Sequence, residues 1–386
     1  MKKIWLFVLI LFLIISISPT AFASDAENSL NNAIDEQLGV LDTDDFDKFL
    51  KELDNDYVGD RLKNYINQIV NGESVFDVME FVNLACGGLL DGLLSSIPMC
   101  ASIILICVLS STLTRFSSKF AQNSTQKIIR FVTVCVVLVI MVSATLNYSN
   151  EVLDTVKTLR NFTNVIFPIL VTLLTVVGGT SVVGVFSPFV AIFSTLILNG
   201  IEGIIFPIFF ACLALSVVGN VTDSVKLDRL RGFLSSTGKW ILGLVFGLFT
   251  TFLSGQALVS SAIDGVSIKA TKFALSSYVP ILGGYLSDGF DFVMAGSVLI
   301  KNAVGLTGIV VLAVIILIPL LKLVVFSLIL KLTSGITESL GDSNIAKMIG
   351  SVSSSLNILS AVLLGVGFVF FFILLLLIFT VNVGVI

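Results

Sequence analysis

The chain has 386 residues, of which 56% are hydrophobic and only 12% charged, where ordinary soluble domains carry about 25% charge. Its mean hydropathy is +1.05, its net charge is −4, and it has no histidine. These values exclude a water-soluble globular domain and remove the usual general base near neutral pH; they indicate an all-α, polytopic helical membrane protein.

Residues 1–23 begin with Lys2 and Lys3, continue as an apolar run from Ile4 to Ile17, and end in Pro19 and Ala21-Phe22-Ala23. That is the layout of a secretory signal peptide with a small-residue cleavage site, an uncleaved anchor being the alternative; both send Ser24 outside the cytoplasm. Residues 24–95 form the expected exported domain. Between Ser24 and Glu80 there are 15 Asp or Glu against Lys48, Lys51, Arg61 and Lys63, a net charge of −11. Phe46, Phe49, Leu50 and Leu53, then Leu62, Tyr65, Ile66 and Ile69, keep helical spacing, so the domain reads as two or three amphipathic helices. Asp54, Asp56, Gly59 and Asp60 echo the start of a calcium loop, but the twelfth position is Tyr65 where a bidentate Glu is required. A solvated acidic turn accounts for them better.

Residues 96–386 are the membrane domain. A first span near Ile97–Thr114 is followed by Arg115, Lys119, Lys127 and Arg130 with no acid, the signature of a cytoplasmic loop. A second span, near Phe131–Asn147, returns to an outer loop holding Glu151, Asp154, Lys157 and Arg160. The block from Val165 to Gly219 carries one charge, Glu202. About 20 apolar residues cross a bilayer, so the block holds either one span plus a re-entrant hairpin or three short spans. In the three-span case Asn199-Gly200-Ile201-Glu202-Gly203 is an outer turn. Both options bring the chain inside to the basic loop between Asp223 and Lys239.

The next span, near Trp240–Val259, contains Gly243-x-x-x-Gly247, a spacing that lets two helices approach closely in lipid. Ser260 to Asn302 is only half apolar and balances its charges. Its centre, around Pro280, Gly283, Gly284, Ser287 and Asp288, is expected to be an interfacial or re-entrant element beside a pore or partner, or a simple long loop. A span from Ala303 carries Pro319 and Lys322, whose amine is expected to snorkel to the cytoplasmic interface. A mixed segment from Lys331 to Gly350 precedes a last span near Leu356–Phe379. The total is six or eight spans after signal removal.

Little in this composition supports catalysis. Cys86, Cys100, Cys107, Cys135 and Cys212 include no CxxC pair and read as small hydrophobes in a membrane interior. There is no phosphate-binding loop, no metal constellation and no nucleophile with a base, so no cofactor and no enzyme activity are expected. Glu202 is the one acid at depth, the kind of residue an ion-coupled transporter needs. The remaining readings are a passive assembly subunit and a stand-alone permease for a small solute. The lipid bilayer is the expected surrounding, and nucleic acid is not expected as a partner.

Four features together resemble the stage III sporulation protein AE family. They are the signal, the acidic domain with Gly72-Glu73 before an apolar stretch, Pro280-Ile281-Leu282-Gly283-Gly284-x-x-Ser287-Asp288, and Ser339-Leu340-Gly341-Asp342-Ser343 before the final span. The family pattern has proline before the position of Leu340, where this chain has Ser339. The resemblance implies a mother-cell membrane protein of an endospore former, a structural subunit of a secretion-like channel complex. It further implies other stage III sporulation membrane proteins and a forespore-side partner as neighbours, with the acidic domain between the two membranes. It brings no catalytic residues.

Overall fold

A computed structural model describes residues 48–49, 78–120, 123–221, 227–278 and 283–380. The signal peptide, nearly all of the acidic domain and Pro280 lie outside the described residues. Among those described there are helices and turns and no strand, as the lack of water in a bilayer demands of a chain that must pair every backbone group internally. The helices are α1 (Val78–Phe120), α2 (Asn123–Val176), α3 (Thr180–Gly200), α4 (Phe206–Val221), α5 (Asp228–Tyr278), α6 (Gly283–Ser339), α7 (Ser343–Ser355) and α8 (Asn357–Phe379). A π-helical stretch, Ile201–Ile205, joins α3 to α4. Six segments are long and apolar enough to cross a membrane: Ala85–Phe116, Gln126–Val176, Thr180–Gly219, Asp228–Ala274, Val293–Ser339 and Ser343–Phe379. The chain is a multi-pass membrane protein.

This corrects several expectations. The Val165–Gly219 block is neither a hairpin nor three spans: its first residues finish α2, and the rest runs as one helix through α3, the π stretch and α4. Asn199 to Gly203 therefore does not turn. The expected outer loop around Glu151 and Arg160 is the interior of α2. Ser260–Asn302 is largely helical too, belonging to the end of α5 and the start of α6, so it is not one long loop; residues 279–282 at the centre of the expected interfacial or re-entrant element lie outside the described residues.

The true turns are set by glycine. At Gly178, with φ of 87°, the N–H of Gly178 bonds Thr175 O at 3.0 Å and that of Gly179 bonds Leu174 O at 2.8 Å. That is a Schellman ending, whose left-handed residue costs an L side chain about 1–2 kcal/mol. Gly341, with φ of 102°, closes α6 in the same way through Glu338 and Thr337.

Helix α6 is the central element and packs on α1, α2, α5, α7 and α8. Gly305 and Gly308 sit where a Cβ would overlap Ile378 and Ile166, which brings α6 close to α8 and α2. Phe189 of α3 stacks on Phe249 and Phe252 of α5, at 5.3 and 4.5 Å between ring centroids. Two buried charges fasten helix ends. Asp264 of α5 is wholly buried and accepts the N–H groups of Ser181 and Val182 at 2.9 and 3.1 Å, capping α3, where a carboxylate also complements the helix dipole. Lys301 of α6, equally buried, donates to Thr380 O at 2.7 Å, just past the end of α8. Phe49 is buried against Phe162 of α2, 5.7 Å between rings, which ties one residue of the acidic segment to the bundle.

The helices are longer than a membrane is thick. The 54 residues of α2 and 51 of α5 give about 81 and 77 Å at the usual rise. The hydrocarbon core is about 30 Å thick, and tilts stay below about 40°. Exposed apolar side chains mark α5 from Leu230 to Phe273, so α5 carries more apolar surface than one bilayer covers.

Candidate functional site: a polar and charged stripe on α2

Halfway along α2 the apolar sequence gives way to Asn147, Asn150, Glu151, Asp154, Thr155 and Thr158, spaced so that they share one helical face. This stripe lines a cleft of 520 Å³ whose opposite wall is Val314, Ile315, Ile318 and Pro319 of α6. Pro319 lacks the N–H that would bond the carbonyl of Ile315, and the cleft opens beside it.

Two of the three ion pairs of the layer join different helices. Lys322 Nζ lies 3.6 Å from Glu151, both partly buried. Lys157 lies 3.7 Å from Asp154 and 4.0 Å from Glu202, the latter held on the π stretch. Such stretches occur disproportionately at functional positions. Below the layer, Tyr148 bonds Ser96 of α1 at 3.0 Å and stacks on Phe326 of α6, 4.1 Å between rings. The amine of Lys322, expected to snorkel to water, is thus paired with Glu151 of α2. Removing either partner leaves a charge facing Ile318 and its neighbours. A double-mutant cycle on Glu151→Gln and Lys322→Gln, read by chemical unfolding in detergent, is expected to give a coupling of about 0.5–1 kcal/mol, the range of partly exposed pairs.

Chemically, the stripe offers amide, hydroxyl and compensated carboxylate groups to a polar solute or to water. The described residues contain no group of three or more Cys, Asp and Glu able to hold a metal, and all five cysteines are free thiols. Of the residues singled out from sequence, Glu202 joins the layer. Gly283, Gly284, Ser287 and Asp288 fall in the first two turns of α6, away from it along the chain. Gly243 and Gly247 lie exposed on α5, and a Cβ at either would meet nothing within 4 Å; no described helix of this chain packs against them. Sequence reading missed Glu151, Asp154, Lys157 and Lys322 as members of one site. The three- and four-residue spacing of the polar positions on α2 was the available signal.

The comparisons with known proteins agree on one relationship. The family described as stage III sporulation protein AE matches over residues 61–381. The stage III sporulation protein AE of Bacillus subtilis (strain 168) is 25% identical over 337 residues, covering 86% of this chain and 84% of its own. No solved structure matches. With most of its length accounted for by that family, including every described helix, the chain belongs to the stage III sporulation protein AE family.

Proposed function

We propose that the chain is a structural, non-catalytic membrane subunit of the secretion-like channel complex that links mother cell and forespore, and that it is needed for forespore development after engulfment. In this reading it sits in the mother-cell membrane around the forespore, its acidic amino-terminal domain is exported toward the forespore, and its neighbours are other stage III sporulation membrane proteins and a forespore-side partner. Family membership over residues 61–381 carries the reading, and a bundle whose exposed apolar flank exceeds one bilayer supports a life among other subunits. Deleting the gene in a sporulating culture is expected to arrest forespores after engulfment, as seen by microscopy. Normal refractile spores would overturn the proposal.

One observation favours a second reading, a stand-alone permease. The cleft between the α2 stripe and Pro319 has the size of a small-solute site, in the range of about 300–1,000 Å³. Purified protein in liposomes would then flux a polar solute by itself, and Asn150→Leu would abolish the flux. Impermeable liposomes that nevertheless retain complex partners favour the subunit.

A further inference from the structure

The exposed flanks of α1 and α5 each carry a charge, Asp91 and Lys239, that makes no salt bridge among the described residues. Helix α1 packs on α2 and α6, whereas α5 packs on α3, α4, α6 and α8, so each leaves a face outward. On α1 that face holds Gly87 and Asp91, four residues apart and both exposed. On α5 it holds Lys239, Gly243 and Gly247, again at steps of four and all exposed. Neither Asp91 nor Lys239 makes a salt bridge with a described residue. A Cβ built on Gly87, Gly243 or Gly247 meets nothing within 4 Å.

These two faces lie at one height. Ser111 of α1 bonds Leu340 O at the end of α6, and Asp91 stands about 30 Å above it at 1.5 Å per residue. Arg231 of α5 bonds Ser351 O, which is itself about 12 Å up α7 from the same turn, and Lys239 lies about 12 Å higher still. The two charges thus fall within about one helical turn of each other. Because α1 and α5 run in opposite directions, the step from Asp91 to Gly87 and the steps from Lys239 to Gly243 and Gly247 all climb the same way. A helix without side chains at the crossing can approach another closely, and opposite charges beside that crossing fix its register.

We infer that the occupant of the α5 face is α1 of a second copy of this chain, packed head to tail, with Gly87 against Gly243 and Gly247 and with Asp91 paired to Lys239. A face on one flank that accepts a different face of the next copy forms a heterologous interface, which extends from copy to copy. It would also cover part of the apolar height of α5 that a single bilayer leaves bare. The inference deepens the subunit reading, yet it is tested on purified protein, so its failure and that of the sporulation role are separable.

The test is self-association of the full chain in detergent, followed by light scattering over a concentration series. Wild type is expected to associate, and Asp91→Lys and Lys239→Asp are each expected to weaken association by about tenfold, the equivalent of one well-placed interfacial pair. The double reversal is expected to restore it. Both sites are exposed, and rescue by the double variant shows that the singles fold. A second measurement uses Gly87→Cys mixed with Gly243→Cys, each in a chain whose five native cysteines are alanine, and expects an intermolecular disulfide. A wild type that is monomeric at every concentration, single reversals without effect, a double variant no better than the singles, or no crosslink would each overturn the inference.

Discussion

Asp264→Leu is expected to destabilise the purified protein in detergent by about 2–4 kcal/mol, read by urea titration of tryptophan or circular-dichroism signals. The carboxylate is completely buried and accepts from two backbone N–H groups at the start of α3. Leucine leaves both donors buried and unanswered, at about 1–3 kcal/mol each, while it recovers part of that loss by removing a desolvated charge. Asn keeps one acceptor oxygen, so Asp264→Asn is expected to lose roughly half as much. A leucine variant within about 0.5 kcal/mol of wild type, the scatter of ordinary surface changes, would show that Asp264 does not fasten α3. The stake extends beyond one cap: Gly178 turns the chain back on itself next to this contact, its would-be Cβ lying 3.0 Å from Ile268 on the same helix as Asp264. Loss of the cap frees the α2–α3 corner from α5.

The uneven legibility of this chain has a physical origin. Apolar runs are a local signal, so the multi-pass membrane character and the helical class could be read directly. Charge in the middle of a helix is a different matter. Glu151, Asp154 and Lys157 read as an outer loop because an unpaired charge belongs in water; their partners, Lys322 and Glu202, are far away in sequence. The pairing that ties Glu151 and Lys157 to other helices is tertiary. Glycine misleads for a related reason: Gly178 and Gly200 look alike in sequence, but Gly178 takes a positive φ in a turn, whereas Gly200 stays in helical conformation at φ −67° as the cap of the π stretch. Which glycine bends the chain is decided by what packs around it. Gly243 and Gly247 illustrate the converse, since their spacing suits a close helix contact that no described element of the same chain makes.

Gly365→Leu is the other change expected to matter most, and its value lies in the contrast with Gly243→Leu. A Cβ at Gly365 overlaps the ring of Phe246, which is itself buried against the core. Helix α8 therefore lies on α5 at a distance only glycine permits. Forcing a side chain between them is overpacking, expected to cost about 1–3 kcal/mol or more, because neighbours in a close-packed interior must leave their rotamers. Even Gly365→Ala is expected to lose stability, since the ring rather than a free methyl must move. At Gly243, three residues before Phe246 but on the exposed flank of α5, leucine meets no described residue within 4 Å. It is expected to leave the unfolding midpoint of the isolated chain within about 0.5 kcal/mol of wild type, while weakening self-association. Equal destabilisation by the two substitutions would mean that α5 buries both faces inside one copy, and would leave no outward face for a neighbour to take.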